Sequence, residues 1–187
     1  FIENQLNNND HTWRVCTWER TTEFMQVGIK GDLDNWEVYE NGKDGGAIIA
    51  TGHAHSYSRT KTLTDIENQI VDTEWSEPNN LRVKEGATFV FVSALGGESI
   101  NIQTRCLPTT YPYGCNGEWA SIYTASQDAI SGALFCTFNV DGHPNKAYCY
   151  FQNIDGRIID EFTVTSFVGT SSDNASLADV DMSGMDL

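Results

Sequence analysis

The sequence predicts a single β-rich α+β domain, and three observations lead there. Strand-like apolar runs recur at residues 13–19, 47–51 and 88–95, and a stretch from 132 to 164 reads as three further strands divided by two short turns. Only residues 32–46 show the acidic start, amphipathic middle and glycine end of a helix. The chain has 187 residues, 40% of them hydrophobic, which suits one core rather than two.

In chain order, WRVCTWE (13–19) alternates and is rich in β-formers, so it predicts a half-buried strand. DLDNWEVYENGKDGG (32–46) places Trp36, Val38 and Tyr39 on a helical stripe behind acidic residues, which favour a helix N-terminus. Its alternating acids also invite a calcium reading, but the spacing lacks the glycine and terminal glutamate of an EF-hand loop. AIIAT (47–51) and TFVFVSAL (88–95) are continuous apolar runs, the pattern of strands covered on both faces. GALFCTFNV, AYCYFQN and RIIDEFTV follow one another through the turns DGHPN and IDG, which predicts an antiparallel meander. The stretches from Asp65 to Gly86 and from Gly96 to Trp119 are rich in Asn, Pro, Gly and Thr, and are expected to be long loops of the kind that carry function.

The five cysteines include no CxxC pair. Pairing Val140 with Asn145 across the DGHPN turn sets Cys136 opposite Cys149, within disulfide reach. Cys106 and Cys115 enclose LPTTYPYG, a loop with little to bury, which a bridge would staple. Cys16 is left over. The alternative is five reduced, buried thiols. The oxidised reading implies a secreted or lumenal protein, and the sequon at Asn174 agrees with it as a glycosylation acceptor.

With 11 Lys and Arg against 26 Asp and Glu, the formal charge is −15. A surface of that sign repels phosphate backbones and anionic lipid, so neither nucleic acid nor a membrane is an expected partner. No apolar run approaches the roughly 20 residues of a membrane span. The sequence opens on FIENQLNNND, with neither a methionine nor a signal peptide, so position 1 is expected not to be the start of the gene product. Residues 166–187 form an acidic, low-complexity tail beyond a domain of residues 1–165. Such a composition does not fold alone. Leu177, Val180, Met182, Met185 and Leu187 are the residues by which it would dock on a neighbouring copy.

ATGHAHSYSRT (50–60) carries two of the four histidines, one residue apart, after a buried strand and a glycine. A turn at Gly52 would let His53 and His55 both reach a point above the sheet edge, where imidazoles ligate metals; as a bare His-x-His the pair equally suits surface histidines without a role.

The run GAIIATGHAHSYSRT resembles the last metal-binding motif of calcineurin-like metallophosphoesterases, in the form found in the purple-acid-phosphatase-like branch. WRVCTWERTTEFMQVGIKGD resembles the segment that precedes that motif in the family. FVFVSALGGES and RCLPTTYPYGCNGEWASIY resemble the strand, glycine-rich turn and loop that follow it, so the likeness covers residues 1 to about 165. It implies the C-terminal half of a β-sandwich flanked by helix, with a two-metal centre of iron, zinc or manganese at the sheet edge hydrolysing phosphate esters. His53 and His55 would each ligate one ion, Glu19 would stand where the family has a histidine ligand, and Arg59 would either meet a substrate phosphate oxygen or be a plain strand residue. The family's Asp-x-His, Gly-Asp-x-x-Asp and Gly-Asn-His motifs do not precede Trp13 here. The resemblance therefore implies a partner that supplies the missing N-terminal half, without which this chain is inactive. A second reading keeps the scaffold and drops the chemistry: an extracellular structural subunit that assembles with copies of itself.

Overall fold

The computed structural model describes residues 1–8, 10–30, 36–97 and 99–169. The tail residues 170–187, with the sequon at Asn174 and the apolar residues expected to grip a neighbour, lie outside the described residues. So do Asp32 and Asp34 of the predicted helix start.

The fold is β-rich α+β, as the sequence predicts. Eleven strands are described: β1 (Val15–Trp18), β2 (Ile48–Thr51), β3 (Tyr57–Thr60), β4 (Leu63–Asp65), β5 (Ile70–Val71), β6 (Asn80–Val83), β7 (Val90–Ser93), β8 (Trp119–Tyr123), β9 (Gly132–Phe138), β10 (Lys146–Asn153) and β11 (Ile158–Ser166). The α-helices are α1 (Ile2–Asn7) and α2 (Trp36–Asp44), and no described helix is long and apolar enough to cross a membrane. A five-stranded sheet runs β1-β2-β7-β3-β8, and a four-stranded sheet runs β6-β11-β10-β9. In the first, β1, β2 and β7 are mutually parallel, β3 runs against them, and β8, antiparallel to β3, runs in their direction again.

Side chains decide how these layers stack. β2 has no polar face: Ile48 joins Leu81, Phe89, Phe162 and Val164 between the two sheets, while Ile49 joins Met25, Tyr39, Leu63 and Val90 under α2. Helix and second sheet thus cover opposite faces of one strand, which is what its unbroken apolar run requires. Each fully buried side chain of this size stabilises the fold by about 1.5–3 kcal/mol. Across the sandwich Tyr57 stacks on Phe151, ring centroids 4.2 Å apart. α2 lies close to the sheet because Gly42 has no side chain, and a Cβ there would meet Ile49 Cγ1 at 3.3 Å.

The meander holds its expected register, with Cys149 opposite Cys136 and Ala147 opposite Phe138. Both predicted disulfides are formed, Cys106–Cys115 and Cys136–Cys149, and Cys16 is the free cysteine. Gly132 opens β9 where the two backbones approach closely: a Cβ would lie 2.6 Å from the Gln152 carbonyl oxygen and 2.9 Å from Asn153 Cα. Gly132→Ala is accordingly expected to destabilise by about 1–3 kcal/mol in urea denaturation, since backbone, not a movable side chain, blocks the methyl.

Two expectations need correction. Residues 65–86 are not one long loop: β4 and β5 pair there, and β6 runs parallel beside β11 as an edge of the second sheet. The folded part also extends past residue 165, because β11 ends at Ser166 and Val168 is buried against the inter-sheet core. Between β7 and β8, no regular element occurs among the described residues, as expected.

Candidate metal site

Three neighbouring parallel strands, β1, β2 and β7, present their carboxyl ends at one edge of the five-stranded sheet, the position where parallel sheets bind ligands. Glu19 follows β1, His53 and His55 follow β2, and Ser99 lies in the loop after β7. The loops are tied together by backbone, with the Gly52 N–H donating to the Glu19 carbonyl at 3.1 Å and the Asn101 N–H to the His55 carbonyl at 2.9 Å.

The β2 loop is tightly folded. Ala54 N–H donates to Gly52 O at 2.7 Å, Ser56 N–H donates to Ala54 O at 2.6 Å, and His53 adopts the left-handed conformation with φ 60°. Ala54 is completely buried while both flanking histidines are half-buried. The alternation sends the small residue down into the core and the two imidazoles outward.

Both rings are oriented through the same nitrogen. His53 Nδ1 lies 2.7 Å from Glu19 Oε1, and His55 Nδ1 lies 2.7 Å from the Ser99 carbonyl oxygen. A carbonyl only accepts, so His55 carries its proton on Nδ1, and its Nε2 bears the lone pair; the carboxylate imposes the same tautomer on His53. Imidazoles prepared for a metal have this arrangement, in which an oxygen behind the ring fixes the tautomer and leaves Nε2 to ligate. The Lys30 ammonium stands 3.4 Å from His55 Nε2.

The donor set is partial. The trio of Cys, His and acidic ligand atoms that comes within 4.8 Å of one another among the described residues is Cys106, Cys115 and Glu118, not Glu19, His53 and His55. In that trio the sulfurs are joined to each other, so neither is a thiolate able to bind an ion. Glu19 sits behind His53 rather than beside it as a third ligand.

Arg59 does not meet substrate. It is fully buried between the sheets, where Nε donates to Asp160 Oδ2 at 2.7 Å and Nη2 to Asp160 Oδ1 at 2.8 Å. The remaining N–H groups reach the Pro78 and Thr60 carbonyls and Asn79 Oδ1, and the guanidinium carbon lies 4.1 Å over the Phe162 ring. Every donor is committed, so the implied phosphate contact is replaced by a structural ion pair.

No protein-family model, curated protein or solved structure matches this chain. Sequence reasoning missed Ser99 and Lys30 as members of the site. Any residue type supplies a carbonyl, so Ser99 left no signal in the sequence, and a lone lysine in a loop leaves none either.

Proposed function

We propose that this chain is the C-terminal part of a secreted calcineurin-like metallophosphoesterase, contributing the histidine ligands of a two-metal centre that polypeptide outside residues 1–187 completes. One observation carries the reading: His53 and His55 sit at the carboxyl edge of parallel strands, each held by an oxygen at Nδ1, the arrangement that turns the Nε2 lone pair toward a ligand. Surface histidines without a role have no need of two separate orienting acceptors. The two disulfides support export, since such bonds persist in oxidising compartments.

The residues present fit a divalent ion at each Nε2 but do not close a hydrolytic centre. Bound ions would supply the Lewis acidity and the attacking hydroxide. This chain's part is to hold the two imidazoles in the ligating tautomer, and an ion at His55 has to displace the Lys30 ammonium from its lone pair.

Zinc titration of the chain by calorimetry tests the assignment. Wild type is expected to bind zinc, and the double variant His53→Ala, His55→Ala to lose at least about 10- to 100-fold in affinity, the range over which even outer-shell changes act. Unchanged zinc affinity in that variant would remove the site. The isolated chain is further expected to show no hydrolysis of p-nitrophenyl phosphate with added zinc, manganese or iron. Robust turnover would refute the division of ligands between two polypeptide segments.

A further inference from the structure

Glu118 is a buried carboxyl group that the metal site does not use. It is 1% exposed, directly before β8, with Oε2 accepting the Asn116 N–H at 2.9 Å and Oε1 3.8 Å from Cys106 Sγ. The disulfide beside it is asymmetric. Cys106 is 6% exposed and packs with Val27, Trp119 and Ile122, whereas Cys115 is exposed. An incoming sulfur reaches only Cys115, and the sulfur it displaces is the one next to the carboxyl group.

We propose that Cys106–Cys115 is a thiol–disulfide exchange site for dithiols, in which Glu118 donates the proton to the departing Cys106 sulfur. A thiolate of the dithiol attacks Cys115 Sγ, a mixed disulfide forms, and the Cys106–Cys115 bond breaks with its electron pair going to Cys106. The Glu118 carboxylic acid protonates that sulfur and becomes a carboxylate. The second thiol of the reagent, as its thiolate, then attacks its own bridged sulfur, forming the oxidised cyclic disulfide and releasing Cys115 as a thiolate that takes a proton from solvent. Two electrons pass from the dithiol to the cystine; the reagent releases two protons to solvent, one of which goes to Cys115 and the other of which restores the Glu118 carboxyl group that protonated Cys106.

Proton transfer from a carboxyl group to a thiolate is downhill, since an ordinary thiol has a pKa of about 8.5. Burial raises the pKa of the Glu118 carboxyl from its ordinary value, and the backbone N–H groups of Glu118 and Asn116, the Arg105 guanidinium and the Trp119 side chain pull it back only in part. Arg105 is the charged group facing it; the Lys61 ammonium is turned over the Tyr111 ring, and the Tyr113 phenol donates nothing to it. The acid form therefore persists to higher pH than for an exposed glutamate.

Cys136–Cys149 provides an internal reference. It has the same asymmetry, Cys136 exposed and Cys149 fully buried, but among the described residues no acidic or histidine group completes a cluster with it as Glu118 does with Cys106 and Cys115. Limited reduction with dithiothreitol from pH 5 to 8, followed by alkylation and peptide mass spectrometry, gives both opening rates in one tube, so their ratio is free of the reagent's own titration. At pH 5 the Cys106–Cys115 bond is expected to open about tenfold or more faster than Cys136–Cys149, the scale of a modest general-acid contribution. The ratio should fall as pH rises through the Glu118 titration, because the acid form is lost. Glu118→Gln keeps the acceptor for Asn116 and should lower the acid-side ratio about tenfold and flatten it. A single-thiol probe should be trapped on Cys115. A wild-type ratio independent of pH, an unchanged ratio in Glu118→Gln, or trapping on Cys106 would each overturn the proposal, and if the variant fails to fold, the wild-type profile decides.

Discussion

Asp160→Ala is expected to cost about 3–5 kcal/mol, the range for removing one partner of a buried ion pair. Arg59 and Asp160 are held between the two sheets with side chains 0% and 5% exposed, and the same carboxylate accepts the Tyr57 hydroxyl at 2.5 Å. Truncation leaves a guanidinium that cannot lose its proton and cannot reach water, together with a stranded phenol. Burial, the largest cause and one that the truncation leaves in place, pushes the Tyr57 phenol well above its ordinary range, so the neutral phenol does not replace the carboxylate. For a chain of this size the midpoint of thermal unfolding should drop by about 6–20 °C. A double change, Arg59→Met with Asp160→Leu, removes both charges and keeps apolar volume, so it should recover most of the loss. Thermal and urea denaturation of the three proteins measure this. A cost below about 1 kcal/mol for the single variant would show that the pair is hydrated, contrary to its position.

That ion pair also explains which parts of the fold sequence reading could reach. β1, β2, β7 and the meander were legible because each satisfies its own side-chain period. The Cys136–Cys149 bridge was legible because register across one hairpin is local arithmetic. β3 was not. Its four residues, Tyr57, Ser58, Arg59 and Thr60, are all buried yet mostly polar, and the partners that make burial tolerable, Asp160 and the Pro78 carbonyl, lie elsewhere in the chain. β6 was hidden in the same way. Asn80 is exposed and Arg82 is paired with Asp72, leaving Leu81 and Val83 as a two-residue apolar signal amid turn-forming neighbours, and only the parallel ladder with β11 makes a strand of them. At the candidate metal site, the sequence could name His53, His55 and Glu19 but not their geometry. Glu19 takes the place expected of a ligand and orients a histidine instead, a distinction that depends on the spacing of β1 and β2.

Reducing both disulfides should lower stability by about 6 kcal/mol, about 3 from each loop closed, which is comparable to the whole stability of many domains. The bridges span sequence separations of 9 and 13 residues, so chain entropy treats them almost equally. Their surroundings do not. Cys149 lies in the inter-sheet core with Phe162 and Val164, and its partner holds edge strand β9, whose outer neighbour is solvent. Opening that bridge frees the edge of the sandwich and should lower the global unfolding temperature. Cys106–Cys115 closes a loop whose Leu107 and Tyr111 are 58% and 51% exposed, held otherwise by the Gly114 N–H on the Cys106 carbonyl and by the Gln103 and Gln127 side chains. Opening it should loosen residues 106–116 while the sheets remain paired. Calorimetry of the fully reduced, alkylated chain is expected to show a midpoint about 12–24 °C below the oxidised one. Hydrogen exchange on the Cys106→Ser, Cys115→Ser variant should show lost protection confined to that loop. A fall of less than about 5 °C on full reduction would mean that the ladder of β9 and β10 and the two glutamines already fix both loops, leaving the bridges little unfolded-state entropy to remove.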